Sequence, residues 1–275
     1  ILFFLRPLGL RLVKDSIRIA PGFEHLRAEF ERIPEGGYPV EHVFCNKRNV
    51  VEASVIGGIP AVIKRFRTPG TVNAFVYGRL RPSKADRSFD NALRLHSLGI
   101  DTPEPMAVIT RPDGARFARS WYVCRRVDVP SMKTHLPNEK LPQLMELLQG
   151  DEILAAFLDT AAGFFGAGVY PIDFNRGNFL LLRGADGRWH FPMVDLNRMR
   201  FGRVSPRMVA RALYLFTDGV SPGALREMTL RVCRRMGLPD AVTLRGLRSF
   251  RRALPWRTMR RKIKKNLKKI LHRNK

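Results

Sequence analysis

The spacing of apolar residues changes period along the chain, and the changes separate a strand-rich first part from a helical last part. Ile17 and Ile19 alternate with polar neighbours as a half-buried strand does; Pro21-Gly22 then turns the chain into a predicted helix over 24–32, ended by Pro34 to Gly37. Three strand-like runs follow, Glu41–Cys45, Val50–Ile56 and Ile59–Phe66, joined by Asn46-Lys47-Arg48-Asn49 and by Gly57-Gly58, which predicts an antiparallel meander. The next helix starts at Ser83 as N-cap and stops at Gly99, with Phe89, Ala92, Leu93 and Leu98 as its buried stripe. Strands around Met106–Ile109 and Trp121–Val127 bracket the turn Pro112-Asp113-Gly114 and complete a β-rich lobe, with Cys124 to Asp128 as hinge. Further on, Phe179–Leu182 and Trp189–Val194 read as two short strands turned by Gly184, Asp186 and Gly187. After Val204 the period is helical, over Met208–Thr217 and Ala224–Met236, and no internal repeat or low-complexity linker is present.

The hairpin carries the chemistry. Asp173 heads D-x-x-x-x-N, Asn178 closes it just before the first strand, and Asp195 stands just after the second, so the returning chain brings Asn178 and Asp195 together. An amide and a carboxylate are oxygen ligands of the kind Mg²⁺ accepts, with water and phosphate completing its shell. Asp173 is then left to orient or deprotonate an attacking hydroxyl, as the catalytic-loop Asp of protein kinases does. The competing reading makes Asp173 and Asn178 turn caps and Asp195 a strand end; D-x-x-x-x-N alone is a short and common match.

In the third strand, A-V-I-K-R-F sets Lys64 among apolar neighbours, which suits an ammonium that reaches nucleotide phosphates; a solvent-facing strand lysine is the alternative. Asp90, beside the stripe of the following helix, is placed to pair with Lys64, or else is an exposed acid. The Asn46–Asn49 turn has no glycine, so a phosphate cover there uses backbone amides and Arg48.

Composition narrows the partners. The 275 residues carry 45% hydrophobic content and a net charge of +25, with a pI near 11.2, so the chain folds around a sizeable core and has an anionic partner: nucleic acid, a membrane surface or a phosphorylated substrate. Cys45, Cys124 and Cys233 are isolated, with no C-x-x-C and no H-E-x-x-H, which signals neither zinc nor a disulfide framework and fits a reducing compartment. Residues 1–13 are apolar but are interrupted by Arg6, Pro7 and Arg11, too short for a span, and read as an interfacial or packing segment or a disordered terminus. Asp240 is the last acid; beyond it, Trp256, Met259, Ile263, Leu267, Ile270 and Leu271 recur at helical spacing among Arg and Lys, the pattern of a membrane-surface helix. A basic helix packed on the C-terminal lobe is the alternative. Nucleic acid is the weaker partner, since the charge is gathered at one end with no interleaved aromatic groove.

Taken in order, AFVYGRLRPSKADRSFDNALRLHSLGIDTPEP, GVYPIDFNRGNFLL and FPMVDLNRMRFG resemble the lipopolysaccharide inner-core kinase family of Gram-negative bacteria, the Kdo and heptose kinases, over about Ile17 to Val204. The resemblance implies an α+β, two-lobed protein-kinase-like fold, with a β-rich nucleotide-binding lobe over 1–125, a helical catalytic lobe over 126–240 and a basic tail over 241–275. It implies ATP and Mg²⁺ as cofactors, Asp173 as catalytic Asp, Asn178 and Asp195 as metal ligands, Lys64 as phosphate lysine and Asp90 as its partner. The expected acceptor is lipopolysaccharide or a lipid-linked core saccharide, met on the cytoplasmic face of the inner membrane. Two positions depart from the kinase pattern: Pro171 stands where many kinases have His, and Asp90 is one methylene shorter than the usual Glu. These leave open a kinase-like pseudoenzyme that binds lipopolysaccharide or a protein partner without phosphoryl transfer.

Overall fold

The computed structural model of the chain describes residues 15–47, 49–66, 82–113 and 116–254. Arg48, the N-terminal apolar segment and the amphipathic tail from Trp256 onward lie outside the described residues. The chain divides into two compact units, one built from residues 1–97 and 103–128, the other from 98–102 and 129–275.

The first unit is a six-stranded antiparallel sheet. Its strands are β1 (Ser16–Ile19), β2 (His42–Asn46), β3 (Asn49–Ile56), β4 (Ile59–Phe66), β5 (Pro105–Asp113) and β6 (Arg116–Arg125), in the spatial order β1-β5-β6-β4-β3-β2. The predicted meander is β2-β3-β4, and Gly57 and Gly58 at φ 55° and 79° make its second turn. Strand β6 lies inside the sheet and is buried on both faces from Ser120 to Cys124, which is why its sequence runs apolar rather than alternating. The predicted helix near the start is shorter and mixed, a 3-10 turn leading into α1 (Arg27–Arg32).

Helix α2 (Lys84–Ser97) begins at a reciprocal cap: the Ser83 hydroxyl accepts from the Asp86 N–H at 2.9 Å, and the Asp86 carboxylate accepts from the Ser83 N–H at 3.1 Å. Its buried stripe is Ala85, Ser88, Phe89, Ala92 and Leu95. Leu98, expected in that stripe, is exposed, because the helix has already ended and Gly99 turns left-handed at φ 67°.

The second unit is mainly helical: α3 (Met132–His135), α4 (Leu144–Gly150), α5 (Glu152–Gly166), α6 (Pro206–Phe216), α7 (Pro222–Arg235) and α8 over 240–254. The helical lobe expected over 126–240 comes with no bounds for α3, α4 and α5, yet α5 is the centre of this core. Phe157 on it stacks on Phe216 of α6 at 4.3 Å between centroids and meets Phe179 and Phe191 edge-on at 5.0 and 5.3 Å. Aromatic contacts of this geometry add about 0.5–1.5 kcal/mol each beyond their buried area. Strands β7 (Val169–Pro171) and β10 (Met199–Phe201) form one two-stranded ladder, and β8 (Leu182–Arg183) and β9 (Trp189–His190) another.

Candidate active site

The loop after β7 is positioned from both ends. At one end, Gly202 donates its N–H to the Gly168 carbonyl at 2.8 Å, and a Cβ on Gly168 would sit 3.0 Å from the Gly202 oxygen, so the two backbones meet where a side chain would part them. The ladder then sets Pro171 opposite Met199, and the Ile172 N–H donates to the Arg198 carbonyl at 2.9 Å. Asp173 therefore emerges beside Arg198. Pro171 is tolerated because the pairing continues through Ile172.

Within D-F-N-R-G-N-F, side chains alternate between anchors and site. Phe174 and Phe179, centroids 4.8 Å apart, are both fully buried in the aromatic core. Arg176, only 2% exposed, donates to the Leu136 carbonyl at 2.6 Å, to Asn138 Oδ1 at 2.7 Å and to Asp218 Oδ2 at 2.7 Å. Burying a guanidinium is costly unless its donors are satisfied, and here backbone, amide and carboxylate satisfy them. Asn175 closes an Asx turn onto the Gly177 N–H at 3.0 Å. The two anchoring rings and the anchoring arginine leave Asp173 and Asn178 on the other side of the loop.

Asn178 Nδ2 donates to the Asp173 carbonyl at 2.8 Å, so its amide oxygen is the atom left to accept or to bind a cation. The returning strand arrives as expected: the Val194 N–H donates to the Asn178 carbonyl at 2.9 Å, which sets Asp195 next to Asn178. Pairing between the two arms is broken in the middle, where the Leu181 N–H turns to the Pro130 carbonyl at 2.7 Å, so β8 and β9 are shorter than the predicted runs. Asp195 has φ 60°, a left-handed conformation uncommon for a non-glycine residue though more open to Asp than to most, and Asp218, the partner of Arg176, shares it at φ 52°. Its carboxylate accepts from Asn197 Nδ2.

Asp173, Asn178, Asp195 and Arg198 line one recess with Pro171 and Met193, about 10 Å³ in volume, roughly the room of one water molecule or ion. Arg198 Nη1 lies 2.9 Å from both carboxylate oxygens of Asp173. Arg198 and Arg176 are not among the site residues expected from sequence; the signal for both is a basic residue that closes D-L-N-R and D-F-N-R. Among the described residues no three His, Cys, Asp or Glu side chains gather as a metal centre, so the Asn178–Asp195 pair, one amide and one carboxylate, is the oxygen set available. A larger groove, about 500 Å³, lies away from these residues, along α8.

In the sheet unit, Lys64 on β4 faces Val51 of β3 and Tyr122 of β6 across the ladders, with its ammonium 5.3 Å from the centroid of Phe66. Near it, burial pushes the Cys124 thiol up to about 12, with Lys64 pulling the other way, so that neighbour stays neutral. The expected partner Asp90 is elsewhere engaged. Its carboxylate, 46% exposed, binds Arg18 of β1, which also lies 3.7 Å from Asp86 and over the ring of Phe89 at 5.0 Å. Asp90 follows the buried Phe89 on α2 and so turns out of the stripe toward the strand that carries Arg18.

No protein-family model matches the sequence, and no curated protein matches it either. The solved structure of WaaP in complex with acyl carrier protein has the same fold: the superposition covers 91% of this chain and 98% of that chain with a TM-score of 0.57 at 17% identity. The chain thus has a protein-kinase-like fold, a β-rich unit followed by a mainly helical one.

Proposed function

We propose that this chain is an ATP-dependent kinase that phosphorylates a sugar hydroxyl, of Kdo or heptose, in the lipopolysaccharide inner core. The observation that carries the reading is the gathering of Asp173, Asn178 and Asp195 at one recess, with Asp195 held left-handed. One carboxylate and one amide suit Mg²⁺, which keeps much of its shell for water and phosphate oxygens. Asn178 Oδ1 and the Asp195 carboxylate would hold it; when bound, the ion neutralises charge on the nucleotide phosphates.

The remaining work falls to the chain's own side chains. Asp173 accepts the hydrogen bond of the acceptor hydroxyl and aims it in line with the phosphoryl group. Because phosphoryl transfer passes through a loose transition state, the hydroxyl needs orientation more than early deprotonation, and a carboxylate already paired with Arg198 can supply that. Lys64 steadies the nucleotide phosphates. No helix of the described residues is long and apolar enough to cross a membrane, and this reading assigns approach to a lipid-linked acceptor to the basic tail over 241–275.

Incubating the protein with a lipopolysaccharide acceptor, ATP and Mg²⁺ and analysing the lipid fraction by mass spectrometry tests the proposal. It expects one added phosphate on a core sugar, absent with Asp173→Asn; an unchanged acceptor would overturn it. Two observations favour a second reading, a kinase-like protein that binds lipopolysaccharide or a protein partner without transfer: Asp90 is bound to Arg18, and Arg198 occupies Asp173. That reading expects nucleotide or acceptor binding with no phosphorylated product.

A further inference from the structure

The arginines of α8 lack the acidic partners that several basic residues elsewhere in the helical unit have. On α7, Arg231 and Arg235 reach Asp159 at 3.9 and 3.1 Å, and Arg234 reaches Asp240 at 2.6 Å. Arg183 and Arg188 likewise have Glu152 and Asp186. Arg245, Arg248, Arg251 and Arg252 have no acidic partner among the described residues, and no acid follows Asp240 in the sequence.

Three of them lie on one stripe. Arg245, Arg248, Ser249 and Arg252 recur at three- and four-residue spacing and, with Ala253, line the open groove of about 500 Å³. The opposite stripe, Thr243, Leu247 and Phe250, is buried, and Phe250 meets Tyr214 of α6 at 5.5 Å between centroids, which turns the arginine stripe outward. Like charges at this spacing destabilise a helix, and nothing described offsets them.

The flank of the groove adds positive potential. α8 passes so close to the start of α6 that a Cβ on Gly246 would sit 2.7 Å from Pro206 Cβ and 2.9 Å from the Arg207 nitrogen. The first turn of α6 holds no acid, and Ser205 makes no side-chain cap bond, so its N-terminal partial charge is left uncompensated by side chains.

Chemistry selects the ligand. Arginine offers a planar fork of donors that takes phosphate oxygens two at a time, and Ser249 adds a hydroxyl. Among the described residues the lining has no aromatic ring to stack a base and no large apolar side chain to enter a bilayer. The geometry points to a phosphate-binding site along α8 in which Arg245, Arg248 and Arg252 hold a phosphorylated group, either free in solution or carried as a lipid headgroup. The site shares no residue with the Asp173 recess and does not rest on phosphoryl transfer.

The test compares three full-length proteins: the parent, Arg245→Gln/Arg248→Gln/Arg252→Gln, and a charge-matched control, Arg183→Gln/Arg188→Gln/Arg235→Gln. One arm titrates pyrophosphate without Mg²⁺ by calorimetry. The other measures co-sedimentation with phosphatidylcholine vesicles with and without phosphatidic acid. The α8 variant is expected to bind about tenfold more weakly or worse, and the control within about twofold of the parent, since a fork contact is specific whereas net charge is not. A loss in the pyrophosphate arm assigns the site to soluble phosphate; a loss confined to phosphatidic acid vesicles assigns it to a headgroup. Undiminished binding in both arms, an equal loss in the control, or no binding by the parent overturns the proposal.

Discussion

A single nitrogen of Arg198 lies 2.9 Å from both carboxylate oxygens of Asp173, and the β7–β10 ladder is what brings the two residues together. The pair is open to solvent, the side chains being 55% and 40% exposed, so it contributes at most about 1 kcal/mol to the fold. Its consequence is for the orientation of Asp173. Arg198→Ala is expected to leave the melting temperature nearly unchanged while lowering acceptor turnover by about tenfold or more, a modest share of what a positioned acid–base group supplies. Arg198→Lys should recover part of the loss. Steady-state kinetics beside thermal melts check this; an unchanged kcat with Arg198→Ala would refute a positioning role.

Asp173→Asn keeps the shape of the loop and removes the carboxylate. Turnover should fall by about 10²–10⁴ with ATP binding retained. Asp195→Asn should instead weaken Mg²⁺-dependent nucleotide binding, and Lys64→Met should abolish turnover. Nucleotide titrations with and without Mg²⁺, alongside turnover, separate the three; parent-level transfer by Asp173→Asn would remove it from the chemistry.

Because Asp90 is bound to Arg18 and not to Lys64, Asp90→Asn should behave as the loss of an exposed ion pair, at most about 1 kcal/mol, with nucleotide affinity unchanged. A large loss of ATP affinity on this substitution would mean that Asp90 serves the nucleotide after all.

Arg176 is the anchor beneath the loop. Arg176→Met leaves the Leu136 carbonyl, Asn138 and Asp218 without their donor, and hydrogen bonds to a charged group of this kind are worth about 1.5–3 kcal/mol each. The variant should melt several degrees lower and lose turnover, although Arg176 touches no reacting atom. Melting curves and hydrogen exchange across residues 172–180 are the measurement, and a parent-like melt would contradict the anchoring role.

His190 Nδ1 donates to Asp101 Oδ2 at 2.8 Å and Nε2 lies 3.4 Å from Asp186 Oδ1, and the bond to Asp101 raises its pKa above the ordinary 6.5. A raised folded-state value stabilises the fold in full below the unfolded pKa, and the contribution is lost as pH rises through the folded one. Stability should therefore decline from about pH 6.5 upward. Asp101→Asn should flatten that decline and move the His190 imidazole titration, followed by NMR, back toward the ordinary value.

Much of this fold is legible in the sequence because its elements announce themselves locally. The β2-β3-β4 meander carries turn residues at each end, α2 carries its own Ser83 cap and Gly99 stop, and the hairpin between Asn178 and Asp195 follows from two apolar runs around glycines. Helix α5, E-I-L-A-A-F-L-D-T-A-A-G-F-F-G, is harder to read: Leu154, Phe157, Leu158, Ala161, Ala162 and Phe165 are buried at three- and four-residue spacing, but Ile153, Ala155 and Ala156 beside them are apolar too and blur the stripe, although Phe157 organises the core under the Asp173 loop.

The sequence by itself determined the chemical groups of the candidate site: an Asp, an Asn and an Asp at spacings that a hairpin can close, and a lysine in a strand. Partners are another matter, since a charged side chain reaches several ångströms in any direction and its pairing depends on which elements pack beside it. Only the tertiary structure decided that Asp90 goes to Arg18, that Arg198 goes to Asp173 through the β7–β10 register, and that Arg176 turns inward to Asp218 while Asp173 and Asn178 face the recess. Local pattern specifies where a backbone turns and which face is apolar; long-range register, absent from any short stretch of sequence, specifies which charges meet.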